Sequence, residues 1–136
     1  MARPRSFRFD ESLLANLEER ARARGESATS VAERYLAEGL RRDDHPLIVF
    51  REGAAGRRPA LVGTRLDVAH VIDTLRGSDN SVEATAEYLA LPTNYVRAAV
   101  RYYADFQDEV DEWRERIQEL ADREEDAWRR EQAVLA

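Results

Sequence analysis

The sequence contains no cysteine. Disulfides, thiolate metal sites and thiol nucleophiles are therefore excluded. Lysine is also absent, so all 21 basic residues are arginine. Only two histidines occur, His45 and His70, and they stand far apart in no ligand-spaced cluster. No nucleophile–base pair, metal constellation or phosphate-cradling glycine loop is recognisable. No catalytic residue, metal ligand or cofactor is expected, and the chain reads as a non-enzyme. Long apolar runs are missing too, which argues against a membrane span and a secretory leader and points to a cytoplasmic protein. No glycine or proline follows Pro92, so no helix breaker occurs in the last third of the chain.

What is present is charge, unevenly placed. Residues 1–42 carry nine arginines against seven acids, residues 43–104 seven against eight, and residues 105–136 five against twelve. A basic head and an acidic tail suggest two partners of opposite character. With 136 residues, 43% of them hydrophobic, the chain can hold one ordinary domain or two small ones.

Residues 1–44 form the first unit. Phe7 and Phe9 alternate with Ser6 and Arg8, the period of a strand with one apolar face. A helix follows at once, from about Glu11 to Arg24, with Asp10 as its N-cap and Leu13, Leu14, Leu17 and Ala21 on one stripe. Gly25 supplies the stop. Ser27 or Thr29 caps a second helix to about Leu40, whose stripe is Val31, Ala32, Tyr35, Leu36 and Leu40. One short strand has no partner for its backbone groups, and about forty residues bury too little surface to fold alone. A second copy of the chain solves both problems. Two strands pair antiparallel, and Phe7 and Phe9 close over a dimer core of Leu13, Leu17, Val31, Tyr35 and Leu36. Ser6 and Arg8 then face outward on a ribbon that fits the major groove of DNA.

Ser6-Phe-Arg-Phe-Asp-Glu-Ser-Leu-Leu14 and Gly25-Glu-Ser-Ala-Thr-Ser-Val-Ala-Glu-Arg-Tyr-Leu36 resemble the ribbon-helix-helix family of DNA-binding proteins, of the MetJ and Arc type, over nearly all of residues 4–42. The resemblance implies that Ser6 and Arg8, with Pro4 on the same face, read bases. Arg5 lies at the ribbon's edge near phosphate. Ser27, Ala28 and Thr29, at the start of the second helix, hold a phosphate with free N–H groups.

Residues 45–104 form the second unit. Leu47–Phe50 and Ala60–Val62 are strands of a hairpin around Gly53-Ala-Ala-Gly56. Three helices follow: Val68–Arg76, capped by Asp67 and stopped by Gly77; a second, capped by Asn80 or Ser81, to about Leu89; and a third from about Asn94, with Val96, Ala99, Val100 and Tyr103 inward. Arg65 reads as a tie between hairpin and helices, and His70 as solvent-facing. Pro59-Ala-Leu-Val-Gly-Thr-Arg-Leu-Asp-Val68 with Val96-Arg-Ala-Ala-Val-Arg-Tyr-Tyr103 is similar to a small domain family with a Gly-Thr-Arg core and a helix-turn-helix-like body, found in VapB-type antitoxins. Asn94, Arg97 and Arg101 fall on the exposed face of the third helix. Whether they would contact DNA or protein stays open.

Residues 105–136 are expected to continue the third helix unbroken. Phe106, Val110, Trp113, Ile117 and Leu120 are spaced as a heptad seam, which weakens where Glu124, Ala127 and Glu131 take the next places. Trp128 lies beside it. Either the stripe packs on its own unit or its twin, or Phe106, Val110, Trp113, Ile117, Leu120 and Trp128 dock into a basic partner.

The expected fold is mainly α: a ribbon-helix-helix, a β-hairpin with a trihelical unit, and a long C-terminal helix. The expected function is the antitoxin of a type II toxin–antitoxin pair. It would be a homodimer or higher oligomer that represses its own operator on double-stranded DNA and neutralises a toxin. By resemblance that toxin is a PIN-domain ribonuclease. The alternative is a free-standing ribbon-helix-helix regulator whose C-terminal part serves oligomerisation.

Overall fold

A computed structural model describes all 136 residues. The fold is mainly helical, with six helices and one two-stranded antiparallel sheet. It divides into two compact units, Met1–Arg41 and Arg42–Ala136.

The first unit holds α1 (Glu11–Arg24) and most of α2 (Ala28–Asp44). Local chemistry sets both ends of α1. Asp10 accepts the N–H of Ser12 at 3.1 Å, and the Ser12 hydroxyl as well. These bonds favour the ionised carboxylate and hold Asp10 below its ordinary pKa of 3.8. At the other end Gly25 adopts φ 66°, and the N–H groups of Gly25 and Glu26 turn back to Arg22 and Ala21. That left-handed residue is one that glycine adopts without the Cβ penalty. Ser27 caps α2 by accepting the N–H of Ser30 at 3.1 Å. The helix runs on to Asp44, four residues past the expected Leu40, and stops at His45-Pro46.

The expected strand Ser6–Phe9 is not formed in the single chain, where residues 1–10 have no regular structure. Its backbone has no second strand to bond. Phe7 and Phe9 nonetheless stack on each other, ring centres 6.2 Å apart, and both are exposed. Within this unit only Ala21 and Val31 are buried.

In the second unit β1 (Ile48–Gly53) pairs with β2 (Gly56–Leu61), from Ile48 opposite Leu61 to Gly53 opposite Gly56. The strands run further toward the tip than the sequence suggested, leaving only Ala54-Ala55 as the turn. Past β2, Thr64 closes a tight turn: its hydroxyl donates to the Leu61 carbonyl at 2.9 Å and accepts the N–H of Leu66 at 3.0 Å. Arg65, expected to tie hairpin to helices, is exposed. Arg58 makes that tie instead, donating from Nε to Asp67 at 2.9 Å with its guanidinium 6.0 Å from the Trp113 ring. Asp67 therefore makes no side-chain cap on α3 (Val68–Gly77).

Ser81 caps α4 (Val82–Leu89) through the N–H of Ala84, and α5 spans Thr93–Asp105. Apolar stripes on α3 (Val68, Val71, Ile72) and α5 (Val96, Ala99, Tyr102) meet Ile48 and Leu61 of the hairpin in one core. Tyr103, expected to face inward, is half-buried, and its neighbour Tyr102 is the fully buried one.

The expected unbroken C-terminal helix is interrupted. α5 ends at Asp105, Phe106 takes φ −132° and ψ 43°, and α6 (Gln107–Leu135) begins anew. No glycine or proline stands at this break. The Phe106 ring lies 4.7 Å from Tyr102 and 6.0 Å from His45, centre to centre. Beyond the break Tyr102 and Tyr103 donate to Glu109 and Asp111 on the next turns. Arg114 then reaches Asp73 of α3 at 2.8 Å, and Arg116 donates to the Ala55 carbonyl at the hairpin tip. α6 thus starts as a core helix of its own unit.

Candidate nucleic-acid and partner interfaces

The candidate DNA-facing residues fall into two groups within the first unit. Arg5, Ser6 and Arg8 lie on the exposed segment that precedes α1. The Arg5 guanidinium sits 5.8 Å from the Phe7 ring, on the side where the two phenylalanines stack. Arg3, Arg5 and Arg8 make no ion pair, so their charge is open to an anion. The second group is the start of α2. Ser27 binds the N–H of Ser30, and the N–H of Val31 meets the Ser27 carbonyl. The N–H groups of Ala28 and Thr29 have no acceptor in the chain. Free N–H groups and the positive end of the helix favour an anion there. Ser27 and Thr29 are exposed, Ala28 half-buried.

The expected dimer core is mostly open in the single chain. Phe7, Phe9, Leu13 and Leu36 are exposed, Leu17 and Tyr35 half-buried, and Val31 alone buried.

In the second unit Asn94, Arg97 and Arg101 are exposed and come together. With Asp44, His45, Pro46, Leu47 and Ala98 they line a shallow cleft of about 260 Å³. Arg97 is 4.0 Å from Glu83, a weak surface pair, and Arg101 has no carboxylate partner. The cleft can hold an anionic or acidic group, with Asp44 opposing it.

His45 was not singled out by sequence. Its ring is buried, Nε2 is 2.9 Å from an Asp105 carboxylate oxygen, and the Tyr102 ring meets it edge-on at 5.1 Å. It joins the end of α2 to the end of α5 across sixty positions of sequence. Only its position just ahead of Pro46, at a helix end, hinted at a special role. His70, as expected, is exposed.

The candidate partner-binding stripe divides in two. Val110 is 1% exposed and Trp113 9%, and Phe106 packs against the same core. Of the two readings open for the stripe, these three residues take packing on their own unit rather than a partner, because α6 lies on α3 and β2 there and its first stripe residues fill that core. Ile117 and Leu120 stand at the boundary, 38% exposed and half-buried. From Ala121 to the C-terminus every residue is exposed, with Trp128 at 59%.

No three His, Asp or Glu side chains converge as a metal cage, and no helix is long and apolar enough to cross a membrane. Comparison with known proteins returns no matching family model, no matching curated protein and no matching solved structure.

Proposed function

We propose that this chain is the antitoxin of a type II toxin–antitoxin pair, a dimeric DNA-binding autorepressor that also masks a toxin. One observation carries the reading. The chain leaves open two apolar surfaces of opposite charge. The first unit exposes Phe7, Phe9, Leu13, Leu36 and Leu40 beside unpaired arginines. The last fifteen residues of α6, from Ala121 to Leu135, expose Trp128, Val134 and Leu135 among acids. Open apolar surface of this extent marks interaction sites.

In the dimer two copies of Ser6–Phe9 pair as a ribbon, as the ribbon-helix-helix resemblance implies. Arg8 then reads a base edge, guanine being the commonest bidentate match for arginine. Ser6 assists, Arg5 lies near phosphate, and the N–H groups at Ala28 and Thr29 clamp the backbone. The test is a titration of DNA from upstream of the chain's own gene at fixed salt. Arg8→Ala is expected to cost about 1–3 kcal/mol on that site and to relax its preference. Binding should fall steeply with added salt. Unchanged affinity for Arg8→Ala would overturn the ribbon assignment.

The other surface masks the toxin, which the antitoxin resemblance makes a PIN-domain ribonuclease encoded beside this chain. Trp128 is its anchor. Trp128→Ala should weaken that complex by about 2–4 kcal/mol, chiefly through faster dissociation, and leave DNA binding intact. A chain ending at Ala121 keeps Val110 and Trp113 in place and is the matching truncation. If it binds and inhibits the neighbouring nuclease as well as the full chain does, the C-terminal half of α6 is not the masking surface. A free-standing regulator then becomes the better reading.

A further inference from the structure

Two glutamates interrupt the exposed apolar strip of α6, and their neighbours are all of one kind. Three and four residues to either side of Glu124 stand Leu120, Ala121, Ala127 and Trp128. Around Glu131 the same positions are Ala127, Trp128, Val134 and Leu135. On a helix these are the residues that share a face with the one between them. Both carboxylates therefore sit in the middle of the strip, where the heptad seam continues. The other acids nearby are on different faces, and two are engaged within the helix. Gln118 donates to Asp122 at 2.9 Å and Arg129 to Glu125 at 2.5 Å. Glu124 and Glu131 have no such partner, and both are exposed.

We propose that this half of α6 docks into a protein groove that offers an apolar floor and two cationic side chains about 10 Å apart, one for each glutamate, that spacing being the helical rise over seven residues. The inference rests on the partner-binding reading of α6 and adds the partner's chemistry to it. Any occupant that covers the strip from Leu120 through Trp128 to Leu135 also covers the two carboxylates within it. A carboxylate removed from water without a cation is strongly disfavoured. The occupant must therefore bring positive charge to two set places.

A second copy of this helix does not. In a parallel pair the seam positions face themselves, so Glu124 meets Glu124 and Glu131 meets Glu131. In an antiparallel pair centred on Ala127 and Trp128, Glu124 meets Glu131. Nucleic acid, a polyanion, fits no better against a strip with two carboxylates at its centre, in a segment (residues 121–136) that carries five acids and three arginines. The two glutamates also fix the register. A slip by one turn sets each carboxylate over the apolar floor, which discriminates against misaligned or wrong partners.

The test needs a defined probe: a peptide of residues 114–136 carrying Glu124→Arg and Glu131→Arg, titrated against the full chain by calorimetry. Arginine and glutamate have similar helix propensity, so the swap leaves the helix itself undisturbed. The swapped peptide should bind at least about tenfold tighter than the unaltered peptide, because each arginine meets a glutamate in the seam. Equal binding by the two peptides would show that the occupant is a second copy and would overturn the proposal. Binding by neither would show a solvated strip and overturn it as well.

A second arm uses the protein encoded beside this chain. Glu124→Arg with Glu131→Arg in the full chain should weaken that complex by about tenfold or more. If Trp128→Ala weakens the complex and the double charge reversal does not, the docking reading stands and the cation pairing is refuted. If neither change matters, the docking reading itself fails, and the peptide titration still decides what the strip demands.

Discussion

Trp113→Ala will destabilise the second unit by about 3–5 kcal/mol, the range for emptying a large aromatic site in a core. Trp128→Ala, on the same helix, will leave stability within about 0.5 kcal/mol of the parent, as an exposed substitution should. Urea unfolding followed by near-ultraviolet dichroism measures both. The contrast follows from position. Trp113 packs with Val110 against the hairpin and α3, and its indole nitrogen is buried without a hydrogen-bond partner. Arg58 lies over its ring while tying β2 to Asp67 at the start of α3. Removing the indole leaves a cavity and uncovers that tie. Trp128 touches no core residue of its own unit. Equal losses for the two variants would mean that the whole of α6 packs on the second unit, and the partner-binding half would disappear as a distinct surface.

Helix ends were legible because their causes are local. Asp10, Gly25, Ser27 and Ser81 each act on residues within a few positions, and the structure uses all four as caps or stops. The hairpin and its three helices were legible for the same reason. What sequence missed has long-range causes. The helix is interrupted at Phe106 although it contains no breaker, and there the Phe106 ring meets His45, far back in the chain. His45 looked isolated because its carboxylate partner lies sixty positions away. Arg65 was read as the tie, whereas strand register, which composition does not reveal, places Arg58 beside Asp67 instead. Helical periodicity admits both Tyr102 and Tyr103 to the inward face, and only packing ranks them. The seam from Phe106 to Leu120 likewise carried no mark of where the unit's own core would end. The glutamates at 124 and 131 came nearest to one, since a seam that buries itself does not place charge at its centre.

Phe9→Asp should abolish the dimer and the fold of residues 1–41 together, and with them DNA binding, although Arg8 is untouched. Sedimentation equilibrium with far-ultraviolet dichroism reads the first two losses. The first unit buries only Ala21 and Val31, while Phe9 and Phe7 are 43% and 62% exposed. A unit of this size sits where folding usually needs oligomerisation or another staple. Its open phenylalanines and leucines are the only material for the missing core. Burying one phenylalanine contributes roughly 1.5–3 kcal/mol, and a two-fold dimer loses it twice. The aspartate adds the cost of placing two like charges in that apolar site. Phe9→Leu, which keeps the apolar volume nearly intact, should retain dimer, helices and operator binding with a modest loss of stability. Arg8→Ala should do the reverse, keeping dimer and fold while losing affinity. That separation tests the ribbon itself, for it requires adjacent residues to answer to different partners: Phe9 to the second chain, Arg8 to DNA. A wild-type chain that sediments as a monomer at micromolar concentration with α1 and α2 intact would sink the dimer. It would leave residues 1–41 as a helical hairpin with a frayed basic end.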